Sequence, residues 1–195
     1  MQLVLASSSP YRRELLARLS VPFTWQSPNV DETPYSDETP PETATRLSIA
    51  KAEALATAFP RHLIIGSDQV ALHRDALISK PGDHENALAQ LLQFSGQTVH
   101  FLSALCVYHS LNKTSRVATT LTEVHFRELK RDEIEKYLRY EQPYDCAGSF
   151  KAEGLGITLF KSINSNDPTA IIGLPLIQLR QLLAEYHYNI IDNIV

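Results

Sequence analysis

The segment from Leu3 to Leu16 limits the possible folds of this chain most. The apolar run 3–6 ends in three serines, and Pro10 then opens an amphipathic segment. The run predicts a buried strand, and the leucines after Pro10 lie on one side of a helix. Ser9 is a natural N-cap, and proline suits the first helical position, where no N–H is needed. The order strand, tight serine loop, helix indicates an α/β core.

Arg12 and Arg13 fall in the first turn of this helix, where the positive end of the helix dipole disfavours cations. Free backbone N–H groups, serine hydroxyls and two guanidiniums together describe an anion site, with phosphate as the expected anion. An ordinary capped surface helix with two solvated arginines explains the same residues, so both interpretations stay open on local grounds.

Length and charge exclude several classes of protein. A chain of 195 residues is long enough for one α/β core, or for a core split into two lobes around a cleft. The net charge of −4 argues against a nucleic-acid polymer as partner, and no apolar stretch reaches membrane-spanning length. The N-terminus lacks the pattern of a signal peptide, and Cys106 and Cys146 form no C-x-x-C pair. We expect a cytoplasmic, reduced protein that binds no membrane.

Further elements are predicted along the chain. Strands are expected at 21–26, 63–68, 70–72, 76–78, 99–108, 116–126 and 157–163, with a hairpin turn at His73-Arg74-Asp75. Helices are expected from Pro40 to about Ala58, from His84 to Phe94, from Asp132 to Tyr140 and from Pro175 to Tyr186. The predicted fold is α/β, with a mixed, partly antiparallel sheet and flanking helices, in a single domain of residues 1–195.

Polar residues at strand ends and in turns are candidates for chemistry. Asp68 and Gln69 end an apolar strand, and Asp31-Glu32 lies in a proline-rich loop. Carboxylates beside phosphate-binding cations are what a magnesium-dependent phosphoanhydride reaction needs. A strand-end cap for Asp68 and a solvated turn for the loop remain alternatives. Lys51 and Lys80 would each by default be surface lysines.

Other site types lack their signatures. The seven histidines show no H-E-x-x-H pattern and no zinc-ligand spacing with the cysteines. The dinucleotide fingerprint, the Walker A loop and the G-x-S-x-G elbow are also missing from the sequence. Cys146 has no identifiable partner base, which favours a bystander thiol over a nucleophile.

A set of motifs spread over essentially the whole chain resembles the Maf family of nucleotide pyrophosphatases. These are, in order, L-A-S-S-S-P-Y-R-R-E-L-L, D-E-T-P, I-A-K-A-E-A-L, I-I-G-S-D-Q-V, S-K-P and C-A-G-S-F-K-A-E-G-L-G. Tyr11, Gln69 and Glu153 match the positions that separate the subgroups of the family, and the set resembles the subgroup acting on 7-methyl-GTP. That subgroup usually has tryptophan where this chain has Tyr11, a conservative departure because tyrosine also offers a π face to a cationic purine.

The resemblance implies a fold like that of inosine triphosphate pyrophosphatases and a role in nucleotide house-cleaning. It implies attack of water at the α–β linkage, with release of the nucleoside monophosphate and pyrophosphate. A divalent cation (Mg, Mn or Co) would be held by Glu32 and Asp68, and Asp68 would also accept the proton. The implied phosphate ligands are Ser7, Ser9, Arg12, Arg13, Lys51 and Lys80, and the residues that choose the base are Tyr11, Gln69 and Glu153.

Two other functions stay open. A related hydrolase would act on dTTP and UTP or on deaminated purines, which the set of residues at 11, 69 and 153 argues against. A non-catalytic nucleotide-sensing module, for example a regulator of cell division, would need the phosphate ligands but not Asp68 as a base. The presence of Asp68, Glu32 and both lysines favours the enzyme. The expected partner is a nucleoside triphosphate substrate, and a homodimer is compatible with the sequence.

Overall fold

The computed structural model describes residues 1–74 and 76–195. The strands are β1 (Gln2–Ala6), β2 (Phe23–Gln26), β3 (His62–His73), β4 (Ala76–Ile78), β5 (Thr98–His109), β6 (Thr114–Phe126) and β7 (Phe160–Ser165). The helices are α1 (Pro10–Ala17), α2 (Pro40–Glu53), α3 (His84–Phe94), α4 (Arg131–Glu141) and α5 (Leu176–Glu185). Short 3₁₀ turns cover Leu155–Leu159, Ala170–Ile172 and Ile191–Asn193. Across these residues, no helix has the length and apolarity needed to cross a membrane.

Within the described residues, seven strands form one mixed sheet in the order β2-β1-β3-β5-β6-β7, with β4 paired to β3. β1 runs parallel to both β2 and β3, which places Ala6 beside Gln26 and Gly66. β4 is antiparallel to β3, and β7 is antiparallel to β6. The predicted α/β fold with a mixed, partly antiparallel sheet is therefore confirmed.

The predicted helices at 84–94, 132–140 and 175–186 match α3, α4 and α5 to within one residue at each end. Pro40 opens α2 as expected, and the Thr39 N–H donates to Glu42 Oε2 at 2.8 Å, one half of the predicted capping box. The hairpin between β3 and β4 is also present. Of its predicted turn residues, Asp75 lies outside the described part of the chain.

Some predicted boundaries are wrong. The strands predicted at 63–68 and 70–72 form the single strand β3, so Asp68 and Gln69 lie within a strand and not at its end. α2 ends at Glu53 and not near Ala58, because Leu55 and Ala56 donate to carbonyls three residues back, at Ala52 and Glu53, and so leave the α-helical pattern. The apolar segment predicted as a strand from 157 to 163 begins instead as the 3₁₀ turn at Leu155–Leu159, and β7 covers only Phe160–Ser165. Alternation of apolar residues does not distinguish a tight turn from the start of a strand.

The chain divides into two compact units, and β3, β5 and β6 contribute residues to both. The first unit comprises Met1–Gln69, Leu102–Thr120 and Asp167–Val195, and the second comprises Val70–Phe101 and Leu121–Asn166. In the first unit, alternate residues of β1 face opposite sides of the sheet. Leu3 and Leu5 pack with residues of α1 and α5, while Val4 and Ala6 pack with Ala52 and Leu55 at the end of α2. The second unit contains a cluster of phenylalanine rings formed by Phe94, Phe101, Phe126, Phe150 and Phe160.

Gly66 on β3 permits a close approach of α2 to the sheet. A Cβ atom at this position would lie 2.1 Å from the Ser48 carbonyl oxygen and 2.8 Å from the Ala52 backbone nitrogen. Because both neighbours are helix backbone, no side-chain rotation can relieve the overlap. The missing side chain thus brings Lys51 of α2 next to Asp68, two residues beyond the glycine.

Candidate active site

The loop between β1 and α1 is ordered by its serines. The Ser9 N–H donates to Ser7 Oγ at 3.1 Å, and Ser9 Oγ accepts from the Arg12 N–H at 3.4 Å. The predicted N-cap is thereby confirmed. The first turn, Pro10–Arg13, contains two arginines and no acidic residue, so the positive end of the helix dipole is not compensated within it. This end of α1 can stabilise an anion.

The two arginines of this turn have different surroundings. Arg12 Nε donates to the Gly173 carbonyl at 2.8 Å. Burial lowers the pKa of the Arg12 guanidinium, and attraction to the carboxylates of Asp68 and Glu32 acts in the opposite direction. The Arg13 guanidinium lies over the ring of Trp25, 4.4 Å from its centroid. Arg12 is therefore half-buried near Asp68, and Arg13 is stacked on an aromatic side chain of β2.

A lysine and two carboxylates form the charged centre of the first unit. Lys51 Nζ lies 2.6 Å from Asp68 Oδ1 and 3.0 Å from Glu32 Oε1. The side chains of Lys51 and Asp68 are 7% and 12% exposed, whereas that of Glu32 is 60% exposed. Each carboxylate contacts the ammonium through one oxygen. The arrangement leaves Glu32 open to solvent and encloses Asp68.

The loop that carries Glu32 is tied to α2 through Arg46. The Arg46 guanidinium is paired with Glu38, donates to the Thr33 carbonyl at 3.1 Å and lies 4.0 Å from the centroid of the Tyr35 ring. The hydrogen bond from Arg46 lowers the pKa of Glu38 from 4.5 to about 2. Since Lys51 is on the same helix, α2 holds this loop at two points, one of them Glu32 itself.

Gln69 contacts the segment that precedes α5. Its Nε2 donates to Ser103 Oγ at 2.9 Å and to the Ala170 carbonyl at 2.9 Å. Ser67, two residues before Gln69 on β3, is fully buried. Its hydroxyl lies 2.9 Å from the Gly173 carbonyl oxygen, which also accepts from Arg12. The segment from Ala170 to Gly173 thus contacts both Gln69 and Arg12.

Asp167 and Thr169 set the conformation of that segment. The buried carboxylate of Asp167 accepts from the N–H groups of Ile177 and Gln178 at 2.7 and 3.1 Å, at the start of α5. Thr169 Oγ1 donates to the Leu174 carbonyl at 2.9 Å. Ser103, Asp167 and Gly173 were not predicted as site residues. Only Asp167 had a local signal, since Asp-Pro-Thr ahead of an apolar helix is typical of a capped start.

Lys80 and Glu153, the remaining predicted site residues, belong to the second unit and are both exposed. Lys80 lies just beyond β4, in a turn where the Gly82 N–H donates to the Tyr144 carbonyl at 3.0 Å. Glu153 lies in a segment held by α4, because Glu141 Oε2 accepts from the Leu155 N–H at 2.9 Å. The other predicted residues, namely Ser7, Ser9, Tyr11, Arg12, Arg13, Glu32, Lys51, Asp68 and Gln69, all lie in the first unit.

The carboxylates fit a magnesium-type cation. In the described part of the chain, no group of three or more His, Cys, Asp or Glu side chains is arranged to hold a metal ion. Mg²⁺ is commonly bound through one or two carboxylates together with the phosphates of the substrate. Glu32 and Asp68, held on either side of Lys51, provide such a pair of hard oxygen donors.

Known proteins resemble the chain over nearly all of its length. The family model described as Maf-like protein matches residues 2–186. A protein of Methylobacillus flagellatus named 7-methyl-GTP pyrophosphatase is 51% identical over 189 residues, which cover 97% of this chain and 98% of the relative. A protein of the same name from Pseudomonas putida is 53% identical, with 94% and 95% of the two chains covered.

Two solved structures share the fold. The Ham1 protein of Staphylococcus aureus matches with a TM-score of 0.50 and 16% identity, covering 96% of this chain and all of the other. A HAM1 protein from Coxiella burnetii gives a TM-score of 0.50 and 15% identity, with 95% and 99% covered. At these identities the match concerns the arrangement of strands and helices.

Proposed function

Since this chain belongs to the Maf-like protein family, we propose that it hydrolyses 7-methyl-GTP to 7-methyl-GMP and pyrophosphate. Support comes from relatives of that name at 51–53% identity, which align over more than nine-tenths of the chain. The family model covers parts of both units, which supports their treatment as one Maf domain.

The observation that carries the proposal is the enclosed carboxylate of Asp68 beside Lys51. Asp68 Oδ1 is engaged by the ammonium at 2.6 Å, which fixes the carboxylate within β3. A carboxylate fixed in this way accepts a proton from water as that water attacks the α-phosphorus. The bond from the α-phosphorus to the bridging oxygen then breaks, and pyrophosphate leaves.

The triphosphate would be bound by the start of α1 and by lysines. Ser7, Ser9 and the N-terminal N–H groups of α1 would donate to phosphate oxygens, and Arg12 and Arg13 would supply positive charge. Lys51 would compensate charge near Asp68, and Lys80 would add a further ammonium. Such groups act mainly by positioning and by stabilising charge that develops in the transition state.

A divalent cation, Mg, Mn or Co, would be held by Glu32 and Asp68. When bound, such a cation polarises a phosphoryl oxygen and lowers the pKa of water. The chain's own contribution is to hold Glu32 near Lys51, through the Arg46 contacts to the loop. Tyr11, Gln69 and Glu153 would choose the base, Tyr11 by stacking on the cationic methylated purine.

A substrate screen tests the proposal. Purified protein is incubated with 7-methyl-GTP, GTP, dTTP, UTP and ITP, each with magnesium, manganese or cobalt, and both pyrophosphate and nucleoside monophosphate are quantified. We expect the highest kcat/KM for 7-methyl-GTP, with one pyrophosphate released per monophosphate. A preference for dTTP and UTP would instead support the related hydrolase that acts on these two nucleotides. Nucleotide binding without pyrophosphate release in any combination would support a non-catalytic sensor.

A further inference from the structure

The side-chain nitrogen of Gln69 is surrounded by oxygen acceptors. Nε2 lies 2.9 Å from Ser103 Oγ, 2.9 Å from the Ala170 carbonyl oxygen and 3.3 Å from the Ile171 carbonyl oxygen. Two of these three oxygens belong to the backbone and can only accept. The amide has two hydrogens, and the two nearest acceptors, Ser103 Oγ and the Ala170 carbonyl oxygen, take them.

The third oxygen, Ser103 Oγ, also acts as an acceptor toward Gln69. This serine is fully buried, and its hydroxyl donates to the Ala170 carbonyl at 2.8 Å. A hydroxyl has a single hydrogen, so Ser103 Oγ faces Gln69 with lone pairs. Ser103 Oγ therefore needs a donor, and Gln69 Nε2 supplies it at 2.9 Å.

These contacts determine which way the amide is turned. In the flipped orientation, Gln69 Oε1 would face two carbonyl oxygens and a serine oxygen whose hydrogen is already used, and Ser103 Oγ would lose its donor. The observed orientation places the nitrogen toward the segment at Ala170. The described residues provide no hydrogen bond to Gln69 Oε1, which leaves this oxygen as an acceptor for a ligand.

We propose that Ser103 is a positioning residue that fixes the Gln69 amide so that its carbonyl oxygen reads the base. The inference rests on the proposed function, in which Gln69 contacts the base. An acceptor pairs with an N–H group on the Watson–Crick edge, as in guanine, 7-methylguanine, uracil and thymine. Adenine and cytosine present an acceptor nitrogen at the equivalent place, so a fixed Gln69 Oε1 repels them.

Ser103→Ala is the direct test, with Ser110→Ala as its matched control. Ser110 is also buried, and its hydroxyl bonds to the backbone carbonyls of Phe59 and His62, but it does not contact Gln69. For each variant, kcat and KM are measured with 7-methyl-GTP and with ATP and CTP. We expect Ser103→Ala to reduce the preference for 7-methyl-GTP over ATP about fivefold, mainly through KM, because one amide contact is lost. We expect Ser110→Ala to keep the wild-type preference.

An unchanged preference in Ser103→Ala, or an equal loss in Ser110→Ala, would overturn the inference. Wild-type protein that prefers ATP or CTP would overturn it too. If wild-type protein ignores 7-methyl-GTP but hydrolyses GTP or UTP, and Ser103→Ala weakens that preference over ATP, the proposed substrate is wrong and the role of Ser103 stands.

Hydrogen exchange provides a readout on the wild-type protein. The side-chain NH₂ signal of Gln69, assigned by its absence in Gln69→Thr, should exchange slowly with solvent because both hydrogens are bonded. In folded Ser103→Ala, the same signal should exchange at least about tenfold faster. Rapid exchange in the wild type would show that the amide is not held, and would overturn the proposal without any variant.

Discussion

The ammonium of Lys51 lies 2.6 Å from a carboxylate oxygen of Asp68, in a place where both side chains are almost removed from solvent. The same nitrogen reaches the exposed carboxylate of Glu32 at 3.0 Å. The Lys51 ammonium thus connects an enclosed carboxylate, Asp68, to a carboxylate that solvent and ligands can reach, Glu32.

Asp68→Asn should stay folded and bind nucleotide, but release pyrophosphate at least about 100-fold more slowly, because asparagine keeps the shape and loses the basicity. Nucleotide binding, melting temperature and pyrophosphate release are measured on the same preparation. If Asp68 is only a strand-end cap, the melting temperature falls and activity is largely kept. Turnover of 7-methyl-GTP near the wild-type rate would exclude Asp68 as the base.

Lys51→Met should destabilise the fold by about 3 kcal/mol, since it leaves the Asp68 carboxylate enclosed without its counterion. For a chain of this length, that loss corresponds to a fall in melting temperature of roughly 6–12 °C. The exposed Lys136 of α4 provides the control, and Lys136→Met should change the free energy of unfolding by less than about 0.5 kcal/mol. Equal stability of the two variants in urea denaturation would contradict the prediction.

Arg13→Ala should reduce turnover at least about 100-fold and leave the fold intact, because a charge-assisted contact to phosphate is worth more than a surface ion pair. Arg18, exposed at the other end of α1, is the matched control, and Arg18→Ala should keep wild-type kcat/KM. Circular dichroism verifies folding. Wild-type activity in folded Arg13→Ala would rule out an anion site at this turn.

Replacing Tyr11 by Arg and Gln69 by Thr in one protein should shift the preference from 7-methyl-GTP toward dTTP and UTP. The change removes the ring proposed to stack on the base and the amide that donates to Ser103. Values of kcat/KM for the three nucleotides are compared between wild type and double variant. The same ranking in both proteins would mean that these positions do not set specificity.

The stability of the loop that carries Glu32 should decrease at low pH, because Glu38 becomes protonated and loses its pairing with Arg46. The pKa of Glu38 is about 2 in the folded chain, below its ordinary value of 4.5, chiefly because Arg46 donates to it. The stabilisation is therefore complete above pH 4.5 and lost as the pH falls toward 2. The difference in unfolding free energy between wild type and Glu38→Gln, measured from pH 2 to 6, should shrink as the pH falls. A difference independent of pH would contradict the assigned pairing.

Local signals predicted most of the fold. Ser9 with Pro10, and Thr39 with Glu42, mark helix starts by chemistry within a single turn, so α1 and α2 begin where expected. The end of α2 was missed because the switch after Glu53 to hydrogen bonds that reach only three residues back leaves no mark in the composition. The turn before β7 was missed since its apolar residues have the pattern of a strand.

The candidate site divides in the same way. The residues at 7–13 stand out because they follow an apolar strand, and Asp68 stands out because it comes just after the apolar run 63–65. Ser103 and Gly173 do not stand out, since their contacts to Gln69 and Arg12 join positions 34 and 161 residues apart in the chain. Sequence pattern within one element carries no information on such contacts. Lys51 would by default be a surface lysine, and only the family resemblance indicated it as a phosphate ligand. Its enclosure between two carboxylates depends on how closely α2 packs on β3.

Because α2 packs so closely on β3, the residue at position 66 controls the geometry of the charged centre. Any side chain there would push the backbone of α2 away from β3, because its first carbon would overlap the Ser48 carbonyl oxygen. Because Lys51 lies three residues after Ser48 on the same helix, it would move with the backbone of α2. The 2.6 Å contact between Lys51 Nζ and Asp68 Oδ1 would then lengthen. A methyl group at position 66 would thus weaken the pairing of Lys51 with Asp68 without touching either side chain, although every charged residue of the site would still be present.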